Sequence, residues 1–408
     1  MKFLNSILNI KLAVIPVLFI GLFIYSCQKQ PPVSISCNGR FTKIFPVNNM
    51  EFYTDIVEDK DGNLLWLYSR NEMQPNEQVI LCKADPCGNV IWQDSIPLPS
   101  RKCCTHKIML QNDGSYVIIY NLQTPDPRVN DTYIATYTNN GALKGQVKLP
   151  NSFFNFNIID LKDGTFMALD SNESGGFIER RNLNGTILSQ IKPKSSSGHL
   201  IYSFDTANNH GAVTVGVYPD YNIPYLAYNY DFCRYAADGK LLFRKLIADS
   251  AFDYRNGVII KTVSGGYLVY SCPDTINLDV VYTPCLRLSM LDSNGNIMWT
   301  KNYFANSASA FSNSSNEMSF TRDGSILALA YSQSNVVAAP VIHLLKTDAH
   351  GNNLWDHTYG GNSGTWPLKT IQLQNGDLLI AGITKSFGLG LGGESFYLIR
   401  TNANGEDH

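Results

Sequence analysis

The stretch Leu291-Asp292-Ser293-Asn294-Gly295-Asn296-Ile297-Met298-Trp299-Thr300-Lys301-Asn302-Tyr303-Phe304 decides the fold. It reads as a strand end, a tight turn at Asn294-Gly295-Asn296, and a second strand with alternating large residues. The pattern returns from Asp348 to Tyr359 and, with variations, along the chain. A second motif precedes each copy: an Asp-Gly or Asn-Gly turn followed by a short apolar strand, as in Asp323-Gly324-Ser325-Ile326-Leu327-Ala328-Leu329. These inner turns fall at Gly62, Gly114, Gly164, Gly211, Gly265, Gly324 and Gly376. The outer turns fall at Gly88, Gly141, Gly185, Gly239, Gly295, Gly351 and Gly405. The two series interleave, seven of each, about 50 residues apart. Four strands repeated at that period predict a seven-bladed β-propeller, an all-β fold.

Both ends fit one count. The seventh unit ends at Asn404-Gly405 without its last strand, while Phe41-Thr42-Lys43-Ile44-Phe45 has no unit of its own. That segment aligns with Trp299-Thr300-Lys301-Asn302-Tyr303, so the N-terminal strand is expected to complete the last blade. Closure of this kind leaves no open seam between the first and last blades.

Upstream, Lys2 and Lys11 precede an apolar run from Leu12 to Tyr25, short for a membrane span and suited to a secretory leader. It ends at Ile24-Tyr25-Ser26-Cys27, which resembles a bacterial lipobox. The resemblance implies a signal peptide over residues 1–27, a lipid on Cys27 and a place in the outer membrane, on either side of it. Residues 28–38 read as a tether with two prolines, and 39–408 as the propeller. The net charge of −2, with 16% charged residues, offers no clustered basic excess for nucleic acid.

Eight cysteines remain after Cys27, and an exported chain permits disulfides. Cys272 ends one strand and Cys285 begins the next, so a bridge between them is expected to constrain the long loop. Cys37, Cys82, Cys87 and Cys233 are left open, and Cys103-Cys104 with His106 matches no zinc spacing. No metal or cofactor is expected. Asp59-Lys60-Asp61-Gly62-Asn63 has the start of a calcium loop, but Arg70 occupies the place of the closing Glu, so turn chemistry explains it better.

Strands that alternate direction put both turn series on one rim. The opposite rim carries long, unlike connections: 70–77, 124–131, 219–228, 273–284 and 385–394. Irregular loops are where function resides, so the site is expected there, at the mouth of the central channel. Counting back from the inner turns places Arg101, His106, Phe154, Tyr202, Tyr254, Arg255 and Trp366 at that mouth. Aromatic faces with a few donors suit a sugar or a peptide. No carboxylate pair for glycoside hydrolysis stands out, and the Asp-to-Gly spacing of the turns differs by one residue from that of sialidase Asp-boxes.

The paired motifs, with Tyr359-Gly360-Gly361, Ser264-Gly265-Gly266-Tyr267 and Ala381-Gly382-Ile383-Thr384, resemble a repeat of secreted and lipid-anchored propellers of Bacteroidota. The Gly-to-Trp step at Trp92, Trp299 and Trp355 is also similar to quinoprotein-like propeller repeats. The reading is a non-catalytic, membrane-anchored propeller that binds a glycan or an envelope protein. The alternative is a polysaccharide-acting hydrolase or lyase with its site at the channel mouth.

Overall fold

The computed structural model describes residues 39–46, 55–70, 78–96, 103–124, 130–149, 157–172, 175–192, 200–207, 211–220, 227–248, 252–275, 286–304, 309–312, 318–334, 339–387 and 394–407. Every regular element among them is a strand. The strands form seven antiparallel sheets, each following the chain outward from an inner strand. The chain is a seven-bladed β-propeller. Its innermost strands are Ile56–Glu58, Cys103–Leu110, Ile158–Asp160, Leu200–Thr206, Phe252–Lys261, Met318–Phe320 and Thr365–Gln372, which define blades 1 to 7. In blade 6 a further strand, Ser309–Ser312, pairs with the same second strand.

Closure is as the sequence predicts. Phe41–Pro46 lies antiparallel to Ser395–Thr401 and is the outermost strand of blade 7. The register Glu58↔Leu64, Leu64↔Ala84 and Ala84↔Val90 brings the inner and outer turns to one rim, here called the regular rim.

Many of the turns open on a residue whose side chain caps them. Asp59 accepts from the amides of Asp61 and Asn63, both at 2.9 Å. Asp292 does the same for Asn294 at 2.9 Å and Asn296 at 2.8 Å, and Asp348 for His350 and Asn352. This is Asx-turn chemistry, in which the carboxylate satisfies backbone donors that the tight turn leaves open. The carboxylate of Asp59 is further occupied by Lys83, at 2.9 Å.

The core is divided. Seven apolar clusters each lie between two neighbouring blades, because alternate residues of every strand face opposite neighbours. Trp66, fully buried, sits between blades 7 and 1 with Phe45 and Phe396. The Gly-to-Trp step acquires a physical meaning here. A Cβ on Gly351 would lie 2.9 Å from the Trp299 ring of the preceding blade, and Gly351 has φ +73°. Trp92 lies in the same way against Gly141, Trp355 against Gly405 and Phe41 against Gly88. Each outer aromatic therefore locks onto the turn glycine of the next blade, and Phe41 carries the lock across the closure.

Candidate functional site

The far ends of the inner strands form the irregular rim. Most of the long loops expected there lie outside the described residues; at blade 7 both flanks of the loop are described. Its inner strand begins at Thr365, and its second strand, Leu378–Thr384, continues into Lys385-Ser386-Phe387. The connection from blade 6, Gly360 to Gly364, runs beside it. Lys385 donates its amide to the Gly364 carbonyl at 2.9 Å, and Ser363 donates its amide to Ser386 Oγ at 2.9 Å. The two connections are thus stitched together.

Trp366 rises from this seam half-buried. Part of its ring packs on the core between blades 7 and 1. A Cβ on Gly364 would come within 2.8 Å of the indole, so glycine there leaves the ring its place. Lys385 Nζ sits 5.4 Å from the Trp366 ring centroid and 3.2 Å from Glu394 Oε1. Beside them Phe387 is 41% exposed, with its ring 5.4 Å from that of Tyr397. Among the described residues it is the large exposed apolar side chain of this rim; the others lie on outer strands or, for Val263, in a regular-rim turn.

Deeper in the channel, three inner strands converge. Asp55, almost fully buried, immediately precedes the inner strand of blade 1. It accepts from the Ile108 amide of blade 2 at 2.8 Å and from Lys369 of blade 7, while Lys107 of blade 2 stands 3.5 Å away. Burial pushes the Asp55 carboxyl upward, but Lys107, Lys369 and the Ile108 amide outweigh it and hold the group below its ordinary value. Asp55 is therefore an ionised rivet joining blades 7, 1 and 2. On the opposite side Asn157 donates to Ser203 Oγ at 2.8 Å, and Asp205 accepts from the Lys261 amide at 2.6 Å. Burial raises the Asp205 carboxyl, against the amides of Lys261 and Thr206.

The predicted mouth residues divide accordingly. Trp366 stands where the sequence places it. Tyr202 is a half-buried wedge between blades 4 and 5 and does not join Trp366 in a patch. The count slips there by one residue. Gly211 lies one position past the turn glycine of the other blades, since it is its carbonyl that takes the Ala207 amide. The register shift between Ile201 and Ser203 is not a cause, since the blade 7 strand has the same shift between Pro367 and Lys369. His106, Tyr254 and Arg255 have their backbones at the irregular ends of their strands, next to similar shifts, and their side chains are outside the described set. Arg101, Phe154, Cys27 and Cys285 lie outside the described residues, as does the Cys272 side chain, so the expected Cys272–Cys285 bridge does too. Cys82 and Cys233 are free, buried thiols. Cys87 is disulfide-bonded, with its partner sulfur outside the described side chains.

Lys385, Phe387 and Glu394 were not singled out in the sequence. Their signal is the long connection 385–394, recognised as irregular, whose flanks carry one aromatic and two opposite charges.

No family model matches the chain, and no curated protein matches it. Solved propellers do. An ulvan lyase bound to -[GlcA(1-4)Rha3S]- is similar with a TM-score of 0.56 and 11% identity, over 90% of this chain and 96% of that one. The polysaccharide lyase Uly1 gives 0.54 and 9%, over 92% and 94%. The propeller domain of the Trilobed protease from Pyrococcus furiosus, described as having an open velcro topology, gives 0.51 and 9%, over 88% and 97%. At these identities the likeness speaks for the architecture.

Proposed function

We propose that this protein is a membrane-tethered propeller that binds a glycan at its irregular rim, held to the membrane through a lipid on Cys27. The observation that carries the reading is the patch at the start of blade 7. There an aromatic pair, Trp366 and Phe387, stands beside a charged donor and acceptor, Lys385 and Glu394. Aromatic faces bury the apolar side of a sugar ring, and a few convergent polar groups fix its orientation. The opposite rim is occupied by turn capping and by the aromatic locks.

A second reading has its own observation. Asp55, Lys107 and Lys369 bring charges of both signs to the channel wall, the kind of groups from which proton transfer is built. A hydrolase or lyase acting on polysaccharide would draw on such a cluster, and two of the similar propellers are polysaccharide lyases. Fold alone does not choose between them.

The test is a glycan-array screen of the full chain beside Trp366→Ala and a Trp366→Ala/Tyr254→Ala double variant. Binding by the parent that the variants lose supports the reading. Cleavage of the bound glycan by the parent moves the weight to the enzyme. No binding to any glycan sinks the sugar proposal and leaves an envelope protein as the partner to be sought by crosslinking.

A further inference from the structure

The blade 7 patch carries more than a location, because its charges are paired in a particular way. Lys385 and Glu394 stand 3.2 Å apart with side chains 41% and 24% exposed, so donor and acceptor meet the solvent side by side. Their charges cancel at the surface. A carboxylated or sulfated ligand would gain from Lys385 and be repelled by Glu394 at nearly the same distance; a cationic peptide would meet the reverse. What such a pair serves well is a neutral group that offers a donor and an acceptor together, which is what two adjacent hydroxyls on a sugar ring present. The pair is also held in place. The hydrogen bond from the Lys385 amide to the Gly364 carbonyl fixes the base of the residue, and the cation–π contact with Trp366 fixes its head. Beside it, the exposed Phe387 ring provides a flat apolar surface. Its seat depends on glycine: a Cβ on Gly361 would lie 3.0 Å from the Phe387 ring and 2.6 Å from Ser386 Cβ.

We infer that Phe387, Lys385 and Glu394 form a subsite for an uncharged sugar ring, which lies on Phe387 and places adjacent hydroxyls on the Lys385–Glu394 pair. Trp366 is a positioning residue that holds Lys385. The inference rests on the glycan reading and narrows its ligand to neutral polysaccharides.

The experiment is affinity electrophoresis of the full chain in gels containing laminarin, mannan or xylan, and in parallel gels containing alginate or polygalacturonate. Retardation by at least one neutral polymer is expected, and it should persist when salt is raised, since no net charge is neutralised on binding. Phe387→Ala should weaken it about tenfold, as expected for loss of an aromatic contact, while lowering the thermal midpoint by only about 2–4 °C. Lys385→Met, which keeps the stem over Trp366 but removes the donor, should weaken it too. Retardation only by the acidic polymers, abolished by salt, would overturn the neutral-sugar subsite while leaving glycan binding intact. Wild-type affinity in Phe387→Ala would overturn the placement. Failure to bind any of the five polymers would overturn the neutral-sugar subsite, while the glycan reading beneath it stands or falls on the array.

Discussion

The two rims of this propeller are built on different principles. On the regular rim, the same few contacts recur: side chains cap most of the turns, and at several outer turns an aromatic from one blade fills the space that a glycine leaves on the next. Little there is left over for a ligand. On the irregular rim, inner strands carry register shifts at Cys103/Thr105, Ile201/Ser203, Tyr254/Gly257 and Pro367/Lys369, and the connections differ in length from blade to blade. Bulges re-aim side chains at sites of this kind. Repetition holds the ring together, and departures from repetition give it a surface with chemistry. Substitutions on the two rims should therefore separate stability from binding.

The largest effect is expected at the lock. Gly351→Ala forces a Cβ into a left-handed backbone and against Trp299, and should cost about 3–4 kcal/mol in urea unfolding. A cost below about 1 kcal/mol would show that the locks are incidental. Next comes the channel rivet. Asp55→Asn leaves Lys369 and Lys107 facing a neutral group and should cost about 3 kcal/mol at neutral pH. The sign of its pH dependence follows from the lowered carboxyl. Its contribution is fully present above the unfolded-state value near 3.8 and is lost as pH falls through the folded-state value. Thermal scans should thus show parent and variant converging in acid; a gap that widens there would contradict the ion pairing.

Trp299→Ala, opening the same lock from the other side, should cost about 2 kcal/mol, less than a fully buried tryptophan because the ring is partly exposed. On the irregular rim the balance reverses. Lys385→Ala removes an exposed cation–π contact and should change stability by no more than about 1 kcal/mol. Its effect should appear in glycan affinity, read by titration calorimetry.

The same contrast explains what the sequence discloses. The blade count, the shared rim of the turns and closure by Phe41–Pro46 follow from local signals: turn glycines, strand alternation and a fixed period. The reason for the Gly-to-Trp step is not local. Trp299 and the Gly351 it packs against stand in different blades, so the motif shows both partners without showing that they meet. At the mouth, Trp366 is legible because the blade 7 turn keeps its glycine at the usual place, so the count lands beside the start of the inner strand. In blade 4 the count is one residue out, because Gly211 stands one position past the usual turn glycine. Phe387 and Lys385 escape that count, since they lie beyond a second strand and come to Trp366 only when two connections are stitched at Gly364.

The division between the rims is tested most directly by hydrogen exchange on the full chain, with and without a glycan that it binds. Added protection confined to residues 361–367 and 384–387, with the turns at Gly88, Gly295 and Gly351 unchanged, is the predicted result. Protection centred on those turns, with the blade 7 patch unaffected, would contradict the account.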